Sequence, residues 1–209
     1  MKKIISVFLS VLIVASLASC AGEGSDVPVF SRGRVVNNVY ESKFAKLRFS
    51  PGPSWQFESD DDILNRNGVD EDGLSEDEIS KKLNDLDTVY DMIAEHETSG
   101  IKVIILFENF LNSVERQGIT IDDYILKLKT DLETKYSGSA AEVVQKSDET
   151  VAGADYKCVE VLLKKDTGDV KQVYLVRYID GFIMSLCITA PANIDPEKDI
   201  LDLFDPIDE

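Results

Sequence analysis

Hydrophobic and polar positions change period several times along this chain, and each change marks an element. Residues 4–17 are apolar apart from Ser6, Ser10 and Ser16, whereas residues 21–33 are small and polar and keep no period. Residues 35–41 and 44–49, rich in β-branched and aromatic side chains and bounded by Ser50-Pro51-Gly52-Pro53-Ser54, read as two strands of a hairpin. Trp55 and Phe57 follow the two prolines, and Trp55 reads as a core or hairpin-capping residue rather than the floor of a ligand pocket. Residues 58–73 are acidic and read as a solvated loop. Period 3.6 then takes over. Ser75 and Glu78 have the spacing of a capping box, Leu74 and Ile79 that of a hydrophobic staple, and Ile79, Leu83 and Leu86 share one helix face.

Two strands over 89–94 and 101–107 flank the turn Glu95-His96-Glu97-Thr98-Ser99-Gly100. The second, Val103-Ile104-Ile105-Leu106-Phe107, is apolar on both faces, which predicts a central position covered on both sides. Another helix starts at Thr120, with Asp123 three residues on, Ile119 and Tyr124 as its staple, and a stripe of Ile121, Tyr124, Ile125, Leu128 and Leu132. Residues 141–147, 156–163, 172–179 and 182–189 have strand character. A turn near Val151-Ala152-Gly153 precedes the second of these, Asp166-Thr167-Gly168-Asp169 joins the second and third, and the two-residue hairpin signal Asp180-Gly181 joins the last two. Asp195-Pro196, with Ile200, Leu201, Leu203 and Phe204 beyond, predicts a final helix.

Strands joined by short turns must be antiparallel, and helices with one apolar stripe must cover a sheet. The predicted class is therefore α+β: a mostly antiparallel sheet of about six or more strands covered by three helices, in one domain spanning residues 34–209. The order of elements, with Trp55 after a proline turn and a helix over 120–136, resembles the PsbP/Mog1-like fold. Members of that fold are mostly binding, assembly or accessory domains, and the resemblance brings no catalytic residues.

The first residues carry a second resemblance. Lys2-Lys3, the apolar run and Leu17-Ala18-Ser19-Cys20 have the form of a secretory signal, with small residues where processing occurs. The run is shorter than the ~20 apolar residues a spanning helix needs. The four residues ending at Cys20 resemble the lipobox of bacterial lipoproteins. That family implies a diacylglyceryl group on the Cys20 thiol, removal of residues 1–19, and a lipid anchor on the extracytoplasmic side of the cell membrane. Residues 20–33 would be the lipidated cysteine and a flexible linker, with an r.m.s. reach of roughly 20 Å and with Val29 and Phe30 at its domain end.

Charge narrows the partners. The 209 residues carry a formal net charge of -17, and the signal segment holds two of the 22 basic residues and none of the 39 acidic ones, leaving -19. Such a surface repels nucleic-acid backbones and anionic headgroups, so no nucleic acid is expected, and electrostatics hold the domain off the bilayer while the acyl chains hold it near.

Candidate chemistry is sparse. Asp60, Asp61, Asp62, Asp70, Glu71 and Asp72 are dense in oxygen, but placing Asp70, Asp72 and Gly73 at positions 3, 5 and 6 of a calcium loop puts Gly68 and Ile79 where acids are needed. His96 is the only histidine, and one histidine cannot build a zinc site. No Gly-x-Ser-x-Gly, His-Glu-x-x-His or phosphate loop occurs. No catalytic, cofactor-binding or metal residue is assigned; the one site residue is Cys20, for lipidation. The sequence thus reads as a membrane-tethered envelope lipoprotein with a non-enzymatic binding or assembly domain, meeting an envelope protein or a small-molecule ligand. The alternative is an envelope hydrolase working through a pair of carboxylates. Cys158 and Cys187 fall on strands with a third between them, roughly 9.6 Å apart. A disulfide needs Cα atoms within about 7 Å, so both read as unbridged, buried thiols.

Overall fold

The computed structural model describes residues 28–70, 72–112, 115–116 and 118–207. The signal segment, Cys20 and Glu71 lie outside the described residues. The strands in chain order are β1 (Arg34–Val36), β2 (Val39–Ser42), β3 (Leu47–Phe49), β4 (Trp55–Phe57), β5 (Thr88–His96), β6 (Lys102–Asn109), β7 (Ala141–Gln145), β8 (Glu149–Val151), β9 (Ala154–Leu163), β10 (Val170–Ile179), β11 (Phe182–Pro191) and β12 (Phe204–Pro206). The helices are α1 (Asp60–Arg66), α2 (Glu76–Asn84), α3 (Ile121–Lys135) and the single turn α4 (Pro196–Asp199). No helix among the described residues is long and apolar enough to cross a membrane.

These elements form an α+β domain with two sheets. The large one runs β4-β5-β6-β11-β10-β9-β7, with β8 also on β9, and every pair is antiparallel. The small one runs β1-β2-β3-β12. Two-residue turns set the local registers: Asn37-Asn38, Ala152-Gly153 and Asp180-Gly181 all have positive φ at both residues, as primed hairpin turns require.

One face of the large sheet is covered by the small sheet. Tyr40, Leu47, Phe49 and Phe204 from the small sheet share a buried cluster with Val89, Met92, Val103, Ile105, Phe107, Leu186 and Ile188 from the large one. Leu64 of α1 and Leu83 of α2 close its side. Each such side chain taken out of water contributes about 1.5–3 kcal/mol before entropy is counted, so this core carries most of the stability. Part of the opposite face, over β7, β9 and β10, is covered by α3, whose Ile125 and Leu132 pack with Val159, Val161, Val176 and Ile183. The capping boxes anticipated at Ser75/Glu78 and Thr120/Asp123 are both formed.

Three local readings differ from the structure. Residues 58–73 are not a loop throughout: Ser59 caps α1 by accepting the Asp62 N–H, and Asp60, Asp61 and Asp62 fill its first turn, where carboxylates favour the positive end of the helix dipole. Helix formation there places Ile63 and Leu64 in buried positions. Residues 35–41 hold a turn at Asn37-Asn38, so β1 and β2 are separate strands. The final helix is a single turn with no side-chain cap at Asp195; a 3-10 turn, Leu201–Leu203, follows, and Phe204 pairs with Phe49 in β12.

The chain enters the domain through a clamped segment. Phe30 is buried against Phe44, Phe107 and Phe182, with centroids 5.3, 4.9 and 5.9 Å away. The Asn84 amide reads its backbone on both sides, accepting from Phe30 N at 2.8 Å and donating to Phe30 O at 2.9 Å.

Candidate functional site

Opposite residues of an antiparallel ladder share a face, so the registers fix what the second face of the large sheet displays. One row reads Ile93, Ile104, Cys187, Tyr174 and Val159 from β5 across to β9. The next reads Tyr90, Leu106, Ser185 and Val176. Helix α3 lies over β7, β9 and β10. It therefore covers Val159 and Val176 and stops short of the β5–β6 end of both rows, where α1 contacts β5. Tyr90, Ile104 and Leu106 are half-buried and Ile93 is buried, and none of the four belongs to either hydrophobic cluster. Apolarity on both faces of β6 predicts full cover; the inner face has it and the outer face does not.

The open strip ends in a cavity of about 510 Å³ between β6 and α3, with Phe110, Ile119, Tyr124 and Leu128 as apolar lining and Glu108, Asp123 and Asp131 among its acids. The Tyr124 hydroxyl donates to Glu108, joining the helix to the sheet. Burial, and then the Glu108 charge, raise the Tyr124 phenol well above its ordinary value. Burial likewise pushes the Cys187 thiol up to about 12, with Glu108 acting in the same direction, so it stays protonated. The lining acids are each engaged. Asp123 caps Thr120 and is held below the usual carboxylate range by those hydrogen bonds, Asp131 pairs with Lys127, and Glu108 accepts from Tyr124. Arg116 lies over the Phe110 ring, 5.8 Å from its centroid.

No protein-family model matches the chain, and no curated protein does. Three solved structures align with it at low similarity. The solution structure of cyanobacterial PsbP (CyanoP) from Synechocystis is 13% identical, with 89% of this chain aligned to 98% of that one at a TM-score of 0.42. A crystal structure from Bacteroides thetaiotaomicron is 10% identical over 82% of this chain and 48% of that one, at 0.37. LpqN, involved in cell envelope biogenesis of Mycobacterium tuberculosis, is 11% identical over 75% and 76%, at 0.36. None of these likenesses gives a residue of this chain a role.

Residues that the sequence singles out fall mainly into structural positions. Trp55 is 5% exposed and meets the Phe49 ring edge-on at 5.4 Å. His96 pairs with Trp55 across β4 and β5, and its Nδ1 accepts from the Ser99 N–H at 3.3 Å, fixing the turn. Among the described residues, no three His, Cys, Asp or Glu side chains are grouped to hold a metal ion. Several buried polar residues escaped the sequence reading, Asp91 among them. Asp91, buried in β5, is the extra residue of a bulge between Tyr90 and Met92. Its carboxylate accepts from the Tyr40 hydroxyl and from Gly33 N at 3.0 and 3.1 Å.

Cys158 and Cys187 are not disulfide-bonded. Cys158 sits opposite Leu175 and Cys187 opposite Tyr174, consecutive residues of β10, so the two thiols lie on opposite faces as well as two strands apart. Denaturing the lipid-modified chain without reductant should expose two titratable thiols; none would contradict this strand order, and three would show Cys20 unmodified.

Proposed function

We propose that this chain is a lipid-anchored, non-enzymatic binding or assembly domain of a bacterial cell envelope. Cys20 holds it on the extracytoplasmic side of the membrane, and the open half of the large sheet receives a protein or small ligand. The observation that carries the binding role is the outer face of β6 with its neighbour Tyr90, where the apolar side chains of Tyr90, Ile104 and Leu106 are only half-buried because α3 covers β7, β9 and β10 instead. The anchor is supported by Lys2-Lys3, the apolar run and Leu17-Ala18-Ser19-Cys20.

The engaged acids favour binding over hydrolysis. A carboxylate mechanism needs one acid kept protonated beside one ionised partner, whereas those at the cavity cap a helix, pair with lysine or accept from tyrosine. Asp91, the desolvated acid, faces Tyr40 and Gly33.

Two acyl chains give stable attachment because each buried CH₂ contributes about 0.8 kcal/mol. Cys20→Ala is therefore expected to release the domain from membranes or leave it unprocessed. Fractionation of cells carrying each form reads this directly. A mutant that matures normally and still pellets after a salt wash removes the anchor from the proposal.

A further inference from the structure

We infer that the outer face of the small sheet rests on anionic phospholipid headgroups of the membrane to which the chain is tethered. This goes beyond the binding reading above and rests on its lipid anchor. Net charge alone predicts repulsion, but the charge is unevenly placed. Residues 28–50 hold five basic side chains and one acid, whereas residues 51–209 hold 15 and 36.

The small sheet gathers the cations. An open concavity of about 760 Å³ over β1–β3 is lined by Arg32, Arg34, Lys43 and Arg48, with Glu41 as the acid of its lining. Lys43 has no ion pair among the described residues, and Arg32, with a side chain 17% exposed, has a buried Nε without an acceptor. Three of the cations meet acids: Arg32 meets Asp60, Arg34 meets Glu76 and Arg48 meets Glu41, while Asp205 stands beside Arg48 on β12. Each of those three carboxylates is exposed, so the pairs contribute little and exchange readily for phosphate oxygens, which take arginine in a bidentate manner. Val29, Val35 and Val36, half of the exposed large apolar side chains among the described residues, lie in the same stretch. Exposed aliphatic tips among cations suit the headgroup layer, where apolar burial and attraction to anionic lipid add.

The tether selects the bilayer as the occupant. Pro28 is eight residues beyond Cys20, a span of at most about 29 Å, and Ser31 in the concavity lies within about 11 Å of Pro28. A lipid on Cys20 therefore keeps this face close to the headgroups, where weak contacts suffice because the encounter is intramolecular. The acidic remainder of the domain opposes other orientations. Docking this way has a consequence for the binding reading. The large sheet lies behind the small one, so the outer face of β6 and α3 point away from the membrane, towards an envelope partner.

The test places the lipid-modified chain on phosphatidylcholine vesicles with and without about 30% phosphatidylglycerol and follows hydrogen exchange. Amides of residues 31–50 should exchange at least about threefold more slowly on the anionic vesicles at low salt, and lose that protection at high salt. Arg34→Glu with Lys43→Glu should return them to the phosphatidylcholine rate. Lys146→Glu with Lys164→Glu, the same charge change at exposed sites near β7 and β9, should leave the protection in place. Arg34→Gln with Lys43→Gln, which removes charge and adds none, should also abolish it, and keeps the test open if the glutamate variant does not fold. Equal exchange on the two vesicles, or equal losses in the two glutamate variants, overturns the inference. So does the same protection from millimolar inorganic phosphate on pure phosphatidylcholine, which would assign the concavity to a free anion. Salt-sensitive self-association without vesicles, abolished by Arg34→Glu with Lys43→Glu, would assign the face to a second copy instead. Flotation with pure phosphatidylcholine vesicles reads the anchor alone, so its failure is told apart from failure of the face.

Discussion

Replacing Phe30 with alanine is expected to destabilise the domain by about 3–5 kcal/mol, the range for truncating a buried phenylalanine. Its ring fills the space among Phe44, Phe107 and Phe182, three rings from three different parts of the chain, and little around it can collapse inward. The segment is held beyond the ring as well, by the two Asn84 hydrogen bonds to Phe30 and the two from Gly33 to Asp91. Gly33 shows how close the fit is: a Cβ there would stand 2.2 Å from the Tyr40 ring. Urea unfolding of the full chain measures the effect, and a loss under about 1 kcal/mol would mean that Phe30 is not part of the cooperative core. The functional consequence is mechanical. In the proposed tethered protein, any pull on the lipid anchor is delivered to Phe30, so the same clamp that stabilises the fold fixes where the tether leaves the domain.

What the sequence discloses follows the range of the interactions. Capping boxes at Ser75 and Thr120 and the Asp180-Gly181 turn depend on residues two or three apart, and all form as read. The α+β class was legible because strand and helix periods are local too. Long-range choices were not. Nothing near Phe204 says that it will pair with Phe49 in a second sheet, and nothing near Arg34 says that β1–β3 will cover the large sheet rather than extend it. The sequence does display apolarity on both faces of β6, but the open half of its outer face depends on where α3 lies, which is set by packing across β7, β9 and β10. Asp91 left one local trace. Val89 and Met92, three residues apart, are both apolar and both join the inner cluster, a spacing that strict alternation does not allow.

Between about pH 4 and pH 6, Asp91 is expected to make the fold less stable as pH rises. Burial pushes its carboxyl up to about 6, and the opposing hydrogen bonds from Tyr40 and Gly33 and the charge of Arg32 do not offset it. In the unfolded chain the same group titrates near 3.9. Below that value both states are protonated and the stabilisation is fully present. As pH rises, the unfolded chain gives up its proton first, so the folded state binds more protons and stability falls until the folded pKa is passed; the drop is on the order of 3 kcal/mol. Glu78 and Asp123 act in the opposite sense, since their capping hydrogen bonds hold them below the usual range and their contribution is lost as pH falls. The Asp91 effect is therefore read as a difference. Asp91→Asn cannot ionise, while its side-chain oxygen still accepts the Gly33 N–H. The stability of wild type minus that of Asp91→Asn, from urea unfolding at intervals from pH 4 to 8, should fall through the window and level off above it. A difference that stays flat or rises would mean that the folded protein already holds Asp91 ionised, with Arg32 as its counter-ion rather than burial as its controlling influence.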